Sequence, residues 1–168
     1  MGMMDWNDLL IAIYIAIPAY VANSTPVLLG GGAPIDGGRT LLDGHRILGA
    51  NKTIRGFVSG LLCGSIAAVA EATFFANAWL LFVGATASLG ALLGDLVGAF
   101  MKRRLDIAPG NPLLIVDQLD FLFGAVLLAL PLLPISVMAI LILVAATVPI
   151  HLTANAIAYL LGLKKRLW

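Results

Sequence analysis

Charge is what this chain has least of. Only 11% of its 168 residues are Asp, Glu, Lys or Arg, where a soluble domain has about a quarter. So few charges cannot cover a water-facing surface. Their scarcity excludes an ordinary soluble globule and points to a chain solvated largely by lipid. The mean hydropathy of +1.02 and the 61% share of hydrophobic residues agree. Cys63 is the single cysteine, which excludes an internal disulfide; inside an apolar run it reads as a small packing residue. No convincing Ser/His or Cys/His pair offers triad-type nucleophilic catalysis. The first apolar run has no positive segment before it, but Asp5 and Asp8, and so does not read as a signal peptide. No internal repeat, heptad pattern, low-complexity tail or soluble domain is visible.

The charges that are present are segregated. All ten Lys and Arg residues fall in Arg39–Arg55, Lys102–Arg104 and Lys164–Arg166. Between them run five stretches long enough to cross a bilayer, which takes about 20 apolar residues: Leu9–Leu29, Ile54–Phe75, Trp79–Phe100, Pro112–Leu133 and Ile135–Leu161. The expectation is an all-α polytopic membrane protein, one transmembrane domain over residues 1–168 with five transmembrane helices. The turns at 76–78 and around Pro131–Pro134 are short and free of Lys and Arg. The longer polar connections, at about 30–53 and 101–111, carry the cations. The positive-inside bias then places those loops and the C-terminus in the cytoplasm and the N-terminus outside. Trp6, Trp79 and Trp168 fall at span ends, as an aromatic belt requires. Five helices bury a modest interior, which suits a homodimer. The net charge of +1 is uninformative because the charges are segregated; the expected partner is the lipid bilayer, with no nucleic acid.

Some residues do not belong in lipid. Asp95 lies seven residues before Lys102, about 10 Å into its helix. Asn111-Pro112 reads as a helix N-cap followed by proline at the first helical position. Asp117 and Asp120 then sit inside the fourth span, on one face by their i,i+3 spacing. A carboxylate at such depth costs a few kcal/mol and persists where it meets a cation, a partner or a wet cavity. Two readings stand. In one, Asp95, Asp117 and Asp120 form structural ion pairs with Lys102, Arg103 or Arg55. In the other they bind Mg²⁺, which takes one or two carboxylates plus substrate phosphates, while Lys and Arg neutralise the phosphate oxygens. Asn23, in Asn23-Ser24-Thr25-Pro26, either marks a proline kink repaired by hydroxyls or lines the same cavity. His151 reads as an interhelical hydrogen-bonding residue and Glu71 as interfacial.

The first loop is rich in glycine, which lets backbone amides approach a phosphate. It lacks P-loop spacing. Its informative part is Asn51-Lys52-Thr53 with Arg55, just before the second span, where the helix dipole favours anions. The second loop reads Lys102-Arg103-Arg104-Leu105-Asp106, then Pro109-Gly110-Asn111, then Asp117-Gln118-Leu119-Asp120. This order resembles the signature of the integral-membrane phosphatidate cytidylyltransferases. Pro18-Ala19-Tyr20, Asn23-Ser24, Leu42-Asp43-Gly44-His45 and Asn51–Gly56 resemble its small archaeal branch, the CDP-archaeol synthase family.

The resemblance implies a Mg²⁺-dependent nucleotidyltransferase of archaeal ether-lipid synthesis. CTP and an isoprenoid ether lipid phosphate, 2,3-bis-O-geranylgeranylglycerol 1-phosphate, would give the CDP-lipid and pyrophosphate. It implies metal ligation by Asp95, Asp117 and Asp120 and catalytic roles for Lys102, Arg103 and Asp95. Asn23, Asn51, Lys52, Thr53, Arg55 and Asp106 would contact substrate. Two alternatives share the carboxylates: a CDP-alcohol phosphotransferase, whose spacing of aspartates is not met, and a small transporter or channel. Topology is directly testable. A cysteine introduced at Ala108 should react with an impermeant reagent only after cell lysis; labelling of intact cells would reverse the orientation.

Overall fold

The structure, a computed structural model, describes residues 6–107, 116–160 and 162. Its helices are α1 (Trp6–Leu29), α2 (Ile54–Phe74), α3 (Trp79–Arg104), α4 (Val116–Ala129) and α5 (Val137–Leu160). Among the described residues the rest is turn and loop, with two isolated β-bridges in the loop before α2, so the all-helical expectation holds. α1, α2, α3 and α5 are each long and apolar enough to cross a membrane. The described part of α4 has 14 residues, about 21 Å at 1.5 Å per residue and short of a ~30 Å hydrocarbon core. Its expected start at Asn111-Pro112 lies outside the described residues. So do the rest of the second loop from Ala108, the Lys164-Lys165-Arg166 tail and the His151 side chain.

The loop 30–53 and the C-terminal end of α3 lie together at one end of the bundle, the basic end. The short turns lie together at the other. There, the Trp79 indole donates to the Leu132 carbonyl at 3.0 Å, tying one turn to the next. Ser136 donates to the Asp8 carboxylate at 2.5 Å, fastening the start of α5 to the start of α1. Glu71, in the last turn of α2, faces the inside of the bundle. It is 6% exposed, and neither carboxylate oxygen has a hydrogen-bond partner among the described residues.

In lipid, apolar side chains gain nothing by leaving their surroundings, so helices associate through close packing of small residues. That pattern runs through α2 and α3 at four-residue spacing. On α2 the buried face is Gly56, Gly60, Gly64 and Ala68. A Cβ at Gly60 would lie 2.6 Å from the Ala22 carbonyl oxygen of α1. That carbonyl has no helical donor, because residue 26 is proline. The Ser24 and Thr25 hydroxyls bond instead to the Val21 carbonyl, at 3.3 and 2.7 Å. α2 therefore presses its backbone against the proline gap of α1.

The closest approach is between α3 and α4. A Cβ on Gly90 would stand 2.3 Å from the Gly124 carbonyl oxygen, and one on Gly94 would stand 2.2 Å from that of Asp120. Backbone meets backbone along the Gly90-Gly94-Gly98 stripe. Around it the core is built largely of alanine, with Ile15, Phe121, Leu122 and Leu143 as its larger members. Gly90→Ala and Gly94→Ala should force the helices apart and cost about 1–3 kcal/mol, read as a lowered melting temperature in detergent. Val97→Ala, on the exposed face of the same helix, should change it little.

Candidate functional site

The basic end is organised first by a carboxylate that the sequence reading did not select. The loop from Gly30 doubles back on itself: the Ile35 amide donates to the Lys52 carbonyl at 2.8 Å and the Ile54 amide to the Ala33 carbonyl at 3.0 Å. At its centre lies Asp36, 7% exposed. Its carboxylate accepts from the amides of Gly38, Leu48 and Gly49 at 3.0–3.1 Å and from the Arg46 guanidinium at 2.5 and 3.3 Å. Gly38 and Gly49 have φ of +81° and +108°, a region that glycine reaches freely. Amides that the glycine-rich sequence seemed to reserve for a phosphate thus converge on an internal anion. The Asp-Gly-Gly order at 36–38 was the available signal, since Asp side chains bond to the amide two residues on.

Thr53 closes the loop as the N-cap of α2. Its hydroxyl accepts from Gly56 at 3.1 Å and from Gly31 at 3.2 Å. Lys52 immediately precedes it and is thereby aimed at α3, where its ammonium contacts both oxygens of Asp95 at 2.6 and 2.5 Å.

α3 runs to Arg104, a turn beyond the expected Phe100. Because Lys102, Arg103 and Arg104 are helical, each points about 100° from the last, and the three have separate tasks. Lys102 pairs with Asp117 of α4 at 2.5 Å. Arg103 is 6% exposed, and its Nε and Nη1 have no hydrogen-bond partner among the described residues. It faces the charge of Asp117. Arg104 turns to the first loop. It pairs with Asp43, donates to the carbonyls of His45 and Arg46 at 3.3 and 2.7 Å, and lies 5.2 Å over the Phe100 ring. Arg104 is thus a second organiser not anticipated from sequence, joining α3 to the loop that carries Lys52.

Asp120 occupies the space that Gly98 leaves. A Cβ at that glycine would lie 2.0 Å from the Asp120 Oδ2. From there Asp120 is within electrostatic reach of Asp95, Asp117 and Lys52. The structure therefore brings together Asp95, Asp117, Asp120, Lys52, Lys102 and Arg103. The others stand apart from this group. Asn51 and Arg55 are exposed, Thr53 is engaged as a cap, and Asp106 faces His45 at 3.5 Å. Asn23 lines a cleft on α1.

Among the described residues no three His, Cys, Asp or Glu groups form a ready-made metal cage. The donor set still fits a hard cation. Asp120 lies within electrostatic reach of Asp95 and Asp117, and those two are each paired with an ammonium group, so this locus already demands positive charge.

The loop has its own pH signature. Burial alone would raise the Asp36 pKa, but Arg46 and the three amides outweigh it and hold the carboxyl well below the usual range. The stabilisation is then complete above the unfolded pKa of about 3.9 and disappears as pH falls through the folded one. Hydrogen exchange of the Leu48 and Gly49 amides, corrected for intrinsic rates, should report constant protection from about pH 8 to about pH 5 and a loss only in stronger acid. Asp36→Asn should weaken that protection across the whole range.

Comparison with known proteins shows the family. The family described as CarS-like, CDP-archaeol synthase, matches residues 5–168. A CDP-archaeol synthase of Methanococcus aeolicus is 45% identical, over 90% of this chain and 92% of its own length. That of Aeropyrum pernix is 44% identical, over 98% of this chain and 97% of its own. A solved structure of an intramembrane enzyme for archaeal membrane lipids biosynthesis superposes with a TM-score of 0.79 at 42% identity, covering 86% of this chain and 92% of that one. The chain belongs to the CDP-archaeol synthase family.

Proposed function

We propose that the carboxylate–lysine cluster between α2, α3 and α4 is where this cytidylyltransferase joins CTP to a lipid phosphate, 2,3-bis-O-geranylgeranylglycerol 1-phosphate. A phosphate oxygen of the lipid bonds to the α-phosphorus of CTP. The bond from that phosphorus to the β-phosphate bridging oxygen breaks, and pyrophosphate leaves. The observation that carries this reading is the convergence of three carboxylates with Lys52, Lys102 and a buried, under-bonded Arg103 at one end of a membrane bundle.

The lipid phosphate has a second pKa of about 6, so it arrives largely ionised and needs no general base. What remains is to neutralise and align phosphates. Arg103 suits this work: its guanidinium is buried, with Nε and Nη1 unbonded among the described residues, and guanidinium groups form strong paired bonds to phosphate oxygens. Lys52 and Lys102 now hold Asp95 and Asp117; we read these pairs as exchangeable, each ammonium moving to a phosphate as substrate enters. Asp95, Asp117 and Asp120 would hold Mg²⁺, which when bound would polarise the phosphoryl oxygens and offset charge on the leaving pyrophosphate. The ion-pair and metal readings thus concern the same residues and are compatible. The basic end faces the cytoplasm in this reading, where CTP is available, and α4 completes a fifth span.

Purified enzyme with CTP, Mg²⁺ and the lipid phosphate should release pyrophosphate. Asp117→Asn and Asp120→Asn should lower kcat/KM about a hundredfold or more, about 3 kcal/mol, with the fold intact. Gly98→Ala should act similarly, since its Cβ displaces the Asp120 side chain rather than backbone. Turnover near that of the parent in both Asp variants would make the cluster structural.

A further inference from the structure

We propose that a cleft between α1, α4 and α5 seats one hydrocarbon chain of the lipid phosphate, and that Tyr20, Ile150 and Ala154 determine which chain fits. This rests on the cytidylyltransferase reading above. The cleft has a volume of about 200 Å³ and is lined by Tyr20, Asn23, Ser24, Phe121, Ile150 and Ala154 among others. Its floor is rigid. The Tyr20 and Phe121 rings lie 5.7 Å apart, Phe121 is 1% exposed, and the Tyr20 hydroxyl is fixed to Thr147 at 2.7 Å.

Three features select a substrate chain over a bulk lipid or the nucleotide. The cleft adjoins the proposed reacting end along α4: its lining residue Phe121 directly follows Asp120 and donates its amide to the Asp120 carboxylate at 2.6 Å. It is graded in polarity. α1 runs toward the basic end, so Asn23 and Ser24 sit at that end of the cleft and Tyr20 lies farther from it. A lipid whose phosphate meets Arg103 would place its glycerol oxygens near these amide and hydroxyl groups and its hydrocarbon beyond. The cleft also opens sideways, because Ser24, Ile150 and Ala154 are exposed, so a chain enters from the membrane without crossing the charged loop. Its lining residues include no Lys or Arg to hold a triphosphate.

A second cleft, of about 270 Å³ between α4 and α5, provides the control. It is lined by apolar residues, including Phe123, Val126, Ile140 and Val144, with no polar group to receive a glycerol. Phenylalanine at Ala154 would fill the first cleft; phenylalanine at Val144 would fill the second.

The test measures lipid and CTP kinetics separately in lipid nanodiscs. It uses 2,3-bis-O-geranylgeranylglycerol 1-phosphate and its shorter digeranyl analogue. Ala154→Phe should raise KM for the long-chain lipid about tenfold or more, leave KM for CTP within about twofold, and spare the digeranyl substrate. Val144→Phe should stay close to the parent. An unchanged lipid KM in Ala154→Phe, or equal effects from both variants, would mean that ordinary membrane lipid fills both clefts and would overturn the proposal. Parent enzyme in the same assay reports the underlying reaction by itself: absence of CDP-lipid there would reject that reading rather than the cleft. A lipid phosphate with a photoreactive group on its chain gives a readout on unmutated protein. It should label the peptides containing Tyr20 or Ala154 and be displaced by unlabelled lipid phosphate. Labelling confined to other helices would overturn the assignment even if Ala154→Phe fails to fold.

Discussion

The carboxylates of α4 can meet those of α3 because the two helices touch backbone to backbone. Gly90, Gly94 and Gly98 remove the side chains that would hold them apart, and Gly124 answers from the other side. In a soluble bundle, apolar burial would supply most of the association energy. In lipid that term largely vanishes between helices, and contact distance takes its place. The same stripe that joins the helices also makes room for Asp120. The two glycines differ in what they admit: a methyl group at Gly98 would displace the Asp120 side chain, and one at Gly94 would meet the Asp120 backbone and part the helices.

The polar layer above is held by a different force. Asp36 gathers three amides and Arg46 into the centre of the first loop, and Arg104 ties that loop to α3. These are charge-assisted contacts, stronger than neutral ones and suited to a glycine-rich segment with little apolar surface to bury. Their effect is to aim Lys52 at Asp95 across a span of 43 residues in sequence. Lys102 and Asp117 form the equivalent pair between α3 and α4. Two ammonium groups thus rest on carboxylates in a half-buried site. Each pair joins two elements, the first loop to α3 and α3 to α4.

Sequence alone determined a good deal. Segregated charge and unbroken apolar runs required a helical membrane protein, because only internally hydrogen-bonded segments survive in lipid. Carboxylates at depth, beside cations, singled out Asp95, Asp117, Asp120, Lys52, Lys102 and Arg103, which the fold brings together, since such groups are too costly to leave in lipid without a partner. The order of the motifs gave the family. Other matters were settled by tertiary structure alone. Whether the glycine-rich loop cradles a ligand or an internal anion depends on where Asp36 lies once the loop folds back. Whether Lys102, Arg103 and Arg104 act together depends on the extra helical turn that fans them apart. Glu71, read as interfacial, is enclosed by neighbours that no local pattern names. Each of these turns on contacts between segments far apart in the chain, and composition and spacing report only what lies within a few residues.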